Sequence, residues 1–428
     1  MMVGQASVPL VGLVDCLVIG RTGDAAALAG VALGVALIDM VFWSFGFLRM
    51  GLSGLVAQAR GAGDTREVDA LLIRGLVLGL AIGLVLLVAA APIIALGLSL
   101  LTNAGAVTPS AHAFLVARFF GAPAALAGFA INGWLIGGRQ TRLALVLQLA
   151  MNTLNIALDL AFVRGLGLGA GGVGWGTSIA EWLALALGLA LALGPGGARP
   201  LRLIRATGLG VVLARDRLAR LLVVNRDLMI RTMALLALFT WFAGAGARLG
   251  PVTLAANHVL MQFVAIAAFV LDAFALTAEE RVGHAIGSGS HHTFDRALRL
   301  TGEFALCGGL FLALAFLLAG PAGIMVITTD PAVRTIAAAH LGFAALVPLL
   351  GAPAWLLDGV FIGATEGRAL RNAALISTVA YLACDYALRP FADTGVWLAL
   401  LISYALRAGN LAIRLPALRA RVASADLA

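Results

Sequence analysis

Gly133-Trp-Leu-Ile-Gly137 with Arg142 five residues on, and Gly359-Val-Phe-Ile-Gly363 with Arg368 five residues on, are one pattern written twice, 359 − 133 = 226 positions apart. The same offset, without a gap, pairs Leu28-Ala29 with Leu254-Ala255, Ala59 with Ala285, Gly61 with Gly287, Gly63 with Gly289, and Asp159 with Asp385. A single register held from residue 28 to residue 159 is hard to reach by chance, so the chain is expected to contain two copies of one unit.

Both copies of the pattern lie in long apolar runs. Of the 428 residues 61% are hydrophobic and 12% charged, and the mean hydropathy is +1.02, whereas an ordinary soluble domain carries roughly 25% charged residues. Unbroken runs such as Leu76 to Leu101 fit membrane-spanning helices and not the short alternating segments of a β-barrel. The expected fold class is therefore an all-α polytopic membrane protein. Twelve transmembrane helices are read at 2–20, 26–58, 67–92, 112–138, 142–163, 171–194, 227–247, 251–281, 296–320, 333–364, 369–388 and 393–413. They form two six-helix repeats. Six crossings return the chain to its starting side, so the repeats share one orientation and a pseudo-two-fold axis along the membrane normal. The expected organisation is an N-terminal lobe over 1–194, a cytoplasmic linker over 195–225, and a C-terminal lobe with a short cytoplasmic tail over 226–428.

All 29 basic residues are Arg, and the formal charge is +8. Their distribution orients the chain. Arg60, Arg66 and Arg74 follow the second span, Arg139 and Arg142 the fourth, and seven arginines from Arg199 to Arg226 the sixth. Arg281, Arg296 and Arg299 follow the eighth, Arg368 and Arg371 the tenth, and Arg414, Arg419 and Arg421 the twelfth. The opposite loops carry single arginines, at Arg21, Arg164, Arg248, Arg334 and Arg389. By the positive-inside rule both termini are cytoplasmic, the charge needs no nucleic-acid partner, and the expected location is the bacterial inner membrane. No cleaved signal peptide is read at the N-terminus. Cys16, Cys307 and Cys384 have no framework spacing and are expected to be buried thiols.

Asn152, Asn155 and Asp159 place two amides and a carboxylate at i, i+3 and i+7 on an apolar segment. They share one helical face within about 60° of arc. An Asp near the bilayer centre costs on the order of 3 kcal/mol, so that face meets a partner or a cavity. Asp15 is the matching carboxylate. It lies six residues before Arg21 as Asp159 lies five before Arg164, which sets the two about 9 and 7.5 Å below the outer boundary. Two carboxylates in a low-dielectric pocket do not both ionise cheaply, so the pair takes a proton or holds a cation. Asn155 and Thr177 would add oxygens of the hard type that Na⁺ prefers. The competing reading of these groups is interhelical hydrogen bonding or helix capping. Asn132 lies nearer the inside by simple counting, and its repeat partner is Asp358.

The second half carries its own acidic candidates, Asp272, Glu279, Asp358 and Asp385, with ion pairing near Arg281 the plainer role of Glu279 and Glu280. Asp15 has no acidic counterpart there, since position 241 is Trp, so the paired site belongs to the first lobe. Pro9 permits a bend in the first span and is a candidate hinge. The six histidines show no metal-ligand spacing, and no phosphate-binding Gly-Lys motif is present, so no cofactor is expected.

Taken together, Pro9-Leu-Val-Gly-Leu-Val-Asp15, Gly46-Phe-Leu-Arg-Met-Gly51 through Ala57-Gln-Ala-Arg-Gly-Ala-Gly63, Asn225-Arg-Asp-Leu, Leu254-Ala-Ala-Asn257, Leu271-Asp-Ala-Phe-Ala through Glu279, and Leu357-Asp-Gly-Val-Phe-Ile-Gly-Ala364 with Arg371-Asn resemble the multidrug and toxic compound extrusion (MATE) transporters, in their DNA-damage-inducible protein F-like (DinF-like) branch. The resemblance covers nearly the whole chain. It implies a secondary transporter, not an enzyme, that exports a small organic solute by antiport with H⁺ or Na⁺. It also implies an ion site in the first lobe at Asp15, Asn132, Asn155, Asp159 and Thr177. Family members usually carry an upstream part of the first helix, with a further proline, that is absent here. Membrane lipids and a small organic substrate are the expected partners, and the chain is expected to be monomeric. The alternative is a flippase for a lipid-linked or amphiphilic substrate. A remoter one is an intramembrane enzyme, for which Glu279, Glu280 and His284 are the one close grouping.

Overall fold

The structure, a computed structural model, describes residues 19, 24–101, 107–193, 209–212 and 214–426. The described chain is helical throughout. In order it forms α1 (Ala25–Trp43), α2 (Phe47–Gly61), α3 (Thr65–Val88), α4 (Ala90–Leu101), α5 (Thr108–Gly137), α6 (Thr141–Asp159) and α7 (Gly169–Leu193). After a single helical turn at Leu209–Val212 come α8 (Arg215–Arg248), α9 (Pro251–Gly287), α10 (His291–Ile327), α11 (Pro331–Gly363), α12 (Gly367–Ala387) and α13 (Ala392–Asp426). Ten of the described segments are long and apolar enough to cross a membrane. The expected span at 369–388 is α12, which carries Arg368, Arg371 and Asp385 and is not among the ten. The expected span at 2–20 lies outside the described residues apart from Ile19.

Local chemistry sets the helix ends. Asp24, Asp64, Ser290 and Asp330 accept backbone N–H groups at the starts of α1, α3, α10 and α11, as N-cap side chains do. The expected span 26–58 is among the ten, as Ala26–Gly61, with a turn at 44–46 inside it. Ser44 bonds back to the Met40 carbonyl at 2.6 Å, and Gly46 follows, so the ladder breaks between α1 and α2.

The chain divides into two compact units, Met1–Val56 with Asp64–Leu222, and Ala57–Gly63 with Val223–Ala428. Within the first, α5 packs against α3, α7 and α1. Gly79 and Gly83 on α3 are where it closes on α5: a Cβ at Gly79 would sit 2.7 Å from the Leu126 carbonyl oxygen, and one at Gly83 would collide with Pro123. Small residues let two backbones approach in this way. Within the second unit, α11 packs against α9, α10 and α13, around a core containing Trp397, Tyr381 and Phe263.

The twice-written pattern has the same job in each unit. A Cβ at Gly133 would meet the Arg49 carbonyl and one at Gly137 the Ser53 carbonyl; at Gly359 and Gly363 the obstacles are the carbonyls of Ala275 and Glu279. Each glycine pair brings the last turns of one helix onto the backbone of another. Just beyond, Arg139 (φ 59°) and Thr365 (φ 56°) are both left-handed, as are Gly63 (φ 71°) and Gly289 (φ 67°). Helix starts recur likewise, at Ala25 and Pro251, at Thr65 and His291, and at Thr141 and Gly367.

Arg74, counted in a loop by its position in sequence, is buried inside α3. Its Nε donates to the Val212 carbonyl at 2.6 Å and its Nη1 to Glu67 at 2.5 Å. That ties the single turn Leu209–Val212 of the intervening segment to the first unit. Cys307 is exposed on α10, a correction to the expected buried thiol, and Cys384 is half-buried; Cys16 lies outside the described residues.

Candidate functional site

In the first unit α6 turns its polar stripe inward. Asn152, Asn155 and Asp159 are 7%, 1% and 0% exposed, as their shared face requires. Thr177 on α7, also buried, faces them. Asn155 Nδ2 donates to Thr177 Oγ1 at 2.9 Å and to Asp159 Oδ2 at 3.3 Å. The Thr177 hydroxyl donates to the Val173 carbonyl of its own helix at 3.0 Å, which turns its lone pairs toward Asn155. Asn155 Oδ1 is buried and meets no donor among the described residues.

The backbone holds this cluster tightly. A Cβ at Gly176 would collide with Asp159 Oδ1, so the carboxylate lies flush against the α7 backbone. Directly after Asp159 the chain widens into a π-helical turn, Leu160–Gly165, a form often found at functional sites. Carboxylate, amide and hydroxyl oxygens so grouped make a set suited to a hard monovalent cation or to a shared proton.

Asn152 is engaged elsewhere, accepting from Gln148 Nε2 at 2.9 Å. Asn132 is half-buried on α5 and, among the described residues, makes no hydrogen bond to Asn155, Asp159 or Thr177. Asp15 and Pro9 lie outside the described residues.

In the second unit the buried carboxylates Asp385 and Asp358 each have an arginine beside them. Asp385 accepts from Trp241 Nε1 at 2.9 Å and from Arg248 Nη2 at 2.7 Å. Asp358 bonds to Arg231 and has Arg407 Nη2 at 3.8 Å. Asp272 is half-buried on α9, within electrostatic reach of Tyr404, while Glu279 is buried on the same helix.

Two buried networks escape a reading of the sequence. In the first unit Arg118 Nη1 pairs with Glu181 Oε2 at 2.9 Å, with side chains 9% and 5% exposed, and the guanidinium stands 5.4 Å from the Phe42 ring centroid. The available signal was one lone charge in each of two apolar segments. In the second unit Asn257 Nδ2 donates to Asp393 Oδ1 at 2.7 Å and Trp397 Nε1 to Asn257 Oδ1 at 2.8 Å, with His340 Nδ1 3.6 Å from Asp393. Nothing in the spacing of these residues points to their meeting.

Ten apolar helical segments among the described residues, with charges buried between the helices, define an integral membrane protein. The MatE family model matches residues 1–161 and 228–387. The chain belongs to that family, the MATE transporters. It is 34% identical to the DNA damage-inducible protein F of Escherichia coli (strain K12), over 96% of this chain and 89% of that protein. Its fold is similar to a crystal structure of MATE in complex with MaD3S, with a TM-score of 0.87 at 18% identity over 100% of this chain and 95% of that one. It is similar also to the outward-facing conformation of a multidrug resistance MATE family transporter of the MOP superfamily, with a TM-score of 0.85 at 18% identity over 99% and 94% of the two chains.

Proposed function

We propose that this protein is a cation-coupled antiporter that exports small organic solutes, with H⁺ or Na⁺ entering through a site in the first lobe at Asp15, Asn155, Asp159 and Thr177. The observation that carries this reading is the buried Asn155–Asp159–Thr177 cluster. An acidic group so placed in a membrane helix is costly unless a cation or proton visits it. Ion occupancy biases one of two openings, and the ion gradient thereby drives the solute. Asn132, on α5, contributes to the same lobe.

The architecture proposed with it is twelve helices in two six-helix repeats related by a pseudo-two-fold axis along the membrane normal. The lobes are 1–194 and 226–428, joined by a cytoplasmic linker, and alternating access comes from their rocking. Helix starts and left-handed positions recurring at one offset support the repeat, as do two family matches of near-equal length beginning at residues 1 and 228. The repeat in turn supports pairing Asp15 with Asp159, because their counterparts Trp241 and Asp385 are in contact at 2.9 Å. Both termini are proposed to be cytoplasmic and the protein a monomer of the bacterial inner membrane.

The direct test is efflux of a panel of organic cations, anions and neutral amphiphiles from proteoliposomes under separately imposed Na⁺ and pH gradients. Transport of at least one compound against its own gradient, driven by one of the two ions, is the expected outcome. Equal flux with and without either gradient would instead indicate a channel or a flippase.

A further inference from the structure

The unit 2 counterpart of the proposed ion site already contains a cation supplied by the chain. At the offset of 226, Asp385 stands for Asp159, Tyr381 for Asn155, Ser403 for Thr177 and Trp241 for Asp15. All four are described. Asp385 is 2% exposed, and its Oδ2 takes both the Trp241 indole N–H and the Arg248 guanidinium. The guanidinium also lies 5.7 Å from the Trp241 ring centroid, so ring and carboxylate hold it together. The residue at the position matching Arg248 in the first half is Thr22.

The charged and titratable neighbours are few. Tyr381, buried on α12, lies within electrostatic reach of Asp385, Arg248 and Asp393, and its hydroxyl meets no hydrogen-bond partner among the described residues. Asp393 is engaged by Asn257, with His340 beside it. Arg248 itself is 43% exposed in its side chain, so it reaches a nearly dry carboxylate from a wet position.

We propose that Arg248 is a tethered substitute for the coupling cation. It fills a latent monovalent-cation site at Asp385 and so confines ion exchange to the first lobe. The proposal rests on the reading above, in which Asp159 is the exchanging carboxylate. A charge-assisted hydrogen bond from a covalently attached guanidinium does not diffuse away, and a free ion must displace it. Without it, a carboxylate 2% exposed is an uncompensated charge and must recruit Na⁺ or a proton from solvent.

The experiment counts cations on purified protein in detergent at fixed neutral pH, by proton uptake and by radioactive Na⁺ binding. Arg248→Ala is expected to bind one more monovalent cation than the wild type, and Arg248→Ala with Asp385→Asn is expected to return to the wild-type count. Arg248→Lys keeps the charge and the wild-type count, and serves if the alanine variant does not fold. An unchanged count in Arg248→Ala overturns the proposal, as does a gain that survives in the double variant or a gain in Arg248→Lys. Asp159→Asn separates the two readings. If it leaves the wild-type count unchanged while the Arg248→Ala increment remains, the first-lobe coupling site fails and the latent site stands.

Discussion

Asp159 is 0% exposed, flush against Gly176, and bonded by an amide that also holds Thr177. Asn155→Ala removes both of these bonds, each worth about 1 kcal/mol net. The expected result is a lowered detergent melting temperature together with ion-coupled transport reduced far more than stability alone explains, read by comparing transport per folded molecule. Arg118→Ala should be costlier, because it strands Glu181 in the interior. A loss of about 3–5 kcal/mol follows for breaking a buried ion pair. Removing Glu181 as well should recover much of it, and thermal unfolding of the three variants decides whether it does. Asn155 and Asp159 were legible in the sequence because three polar residues on an apolar segment fix their own helical face. Arg118 with Glu181, and Asn257 with Asp393, were not. Each member sits on a different helix, and which side chains meet depends on packing that one-dimensional periodicity does not encode.

Element boundaries followed from hydropathy to within a few positions for α5, α6, α7, α11 and α12. The failures have physical causes. Ser44 bonding back to Met40 accompanies a turn inside the span 26–58, α8 and α13 extend past their apolar portions through Arg-bearing turns that hydropathy assigns to loops, and α9 and α10 run on to Gly287 and Ile327. Gly75, Gly79 and Gly83 recur at four-residue spacing, which marks a helix face open to close approach, whereas nothing in that spacing names the partner, α5. Gly83→Val should destabilise by about 1–3 kcal/mol or more through overpacking against Pro123. Gly128→Val, on α5 with nothing within 4 Å of its added Cβ, should change stability much less. Equal melting temperatures for the two variants would contradict the packing described for α3 and α5.

At the scale of the whole molecule, the repeat offset carried the most information, since one register predicts helix starts, left-handed turns and glycine contacts together. The arginine distribution alone sets the proposed orientation. A reporter fused after Ala428 should be active only as a cytoplasmic enzyme, and activity on the outer face would reverse the proposed topology. The ion and the substrate are beyond what residue spacing encodes, because a carboxylate, an amide and a hydroxyl serve a proton or Na⁺ equally well. Coupling of ion entry to solute exit by the first-lobe carboxylates is tested by gradient-driven efflux from proteoliposomes containing wild-type protein, Asp15→Asn or Asp159→Asn. Both variants are expected to fold and to lose gradient-driven efflux by at least about ten-fold, a coupling free energy of about 1.4 kcal/mol. Wild-type coupled efflux in Asp159→Asn would show that ion coupling does not run through Asp159.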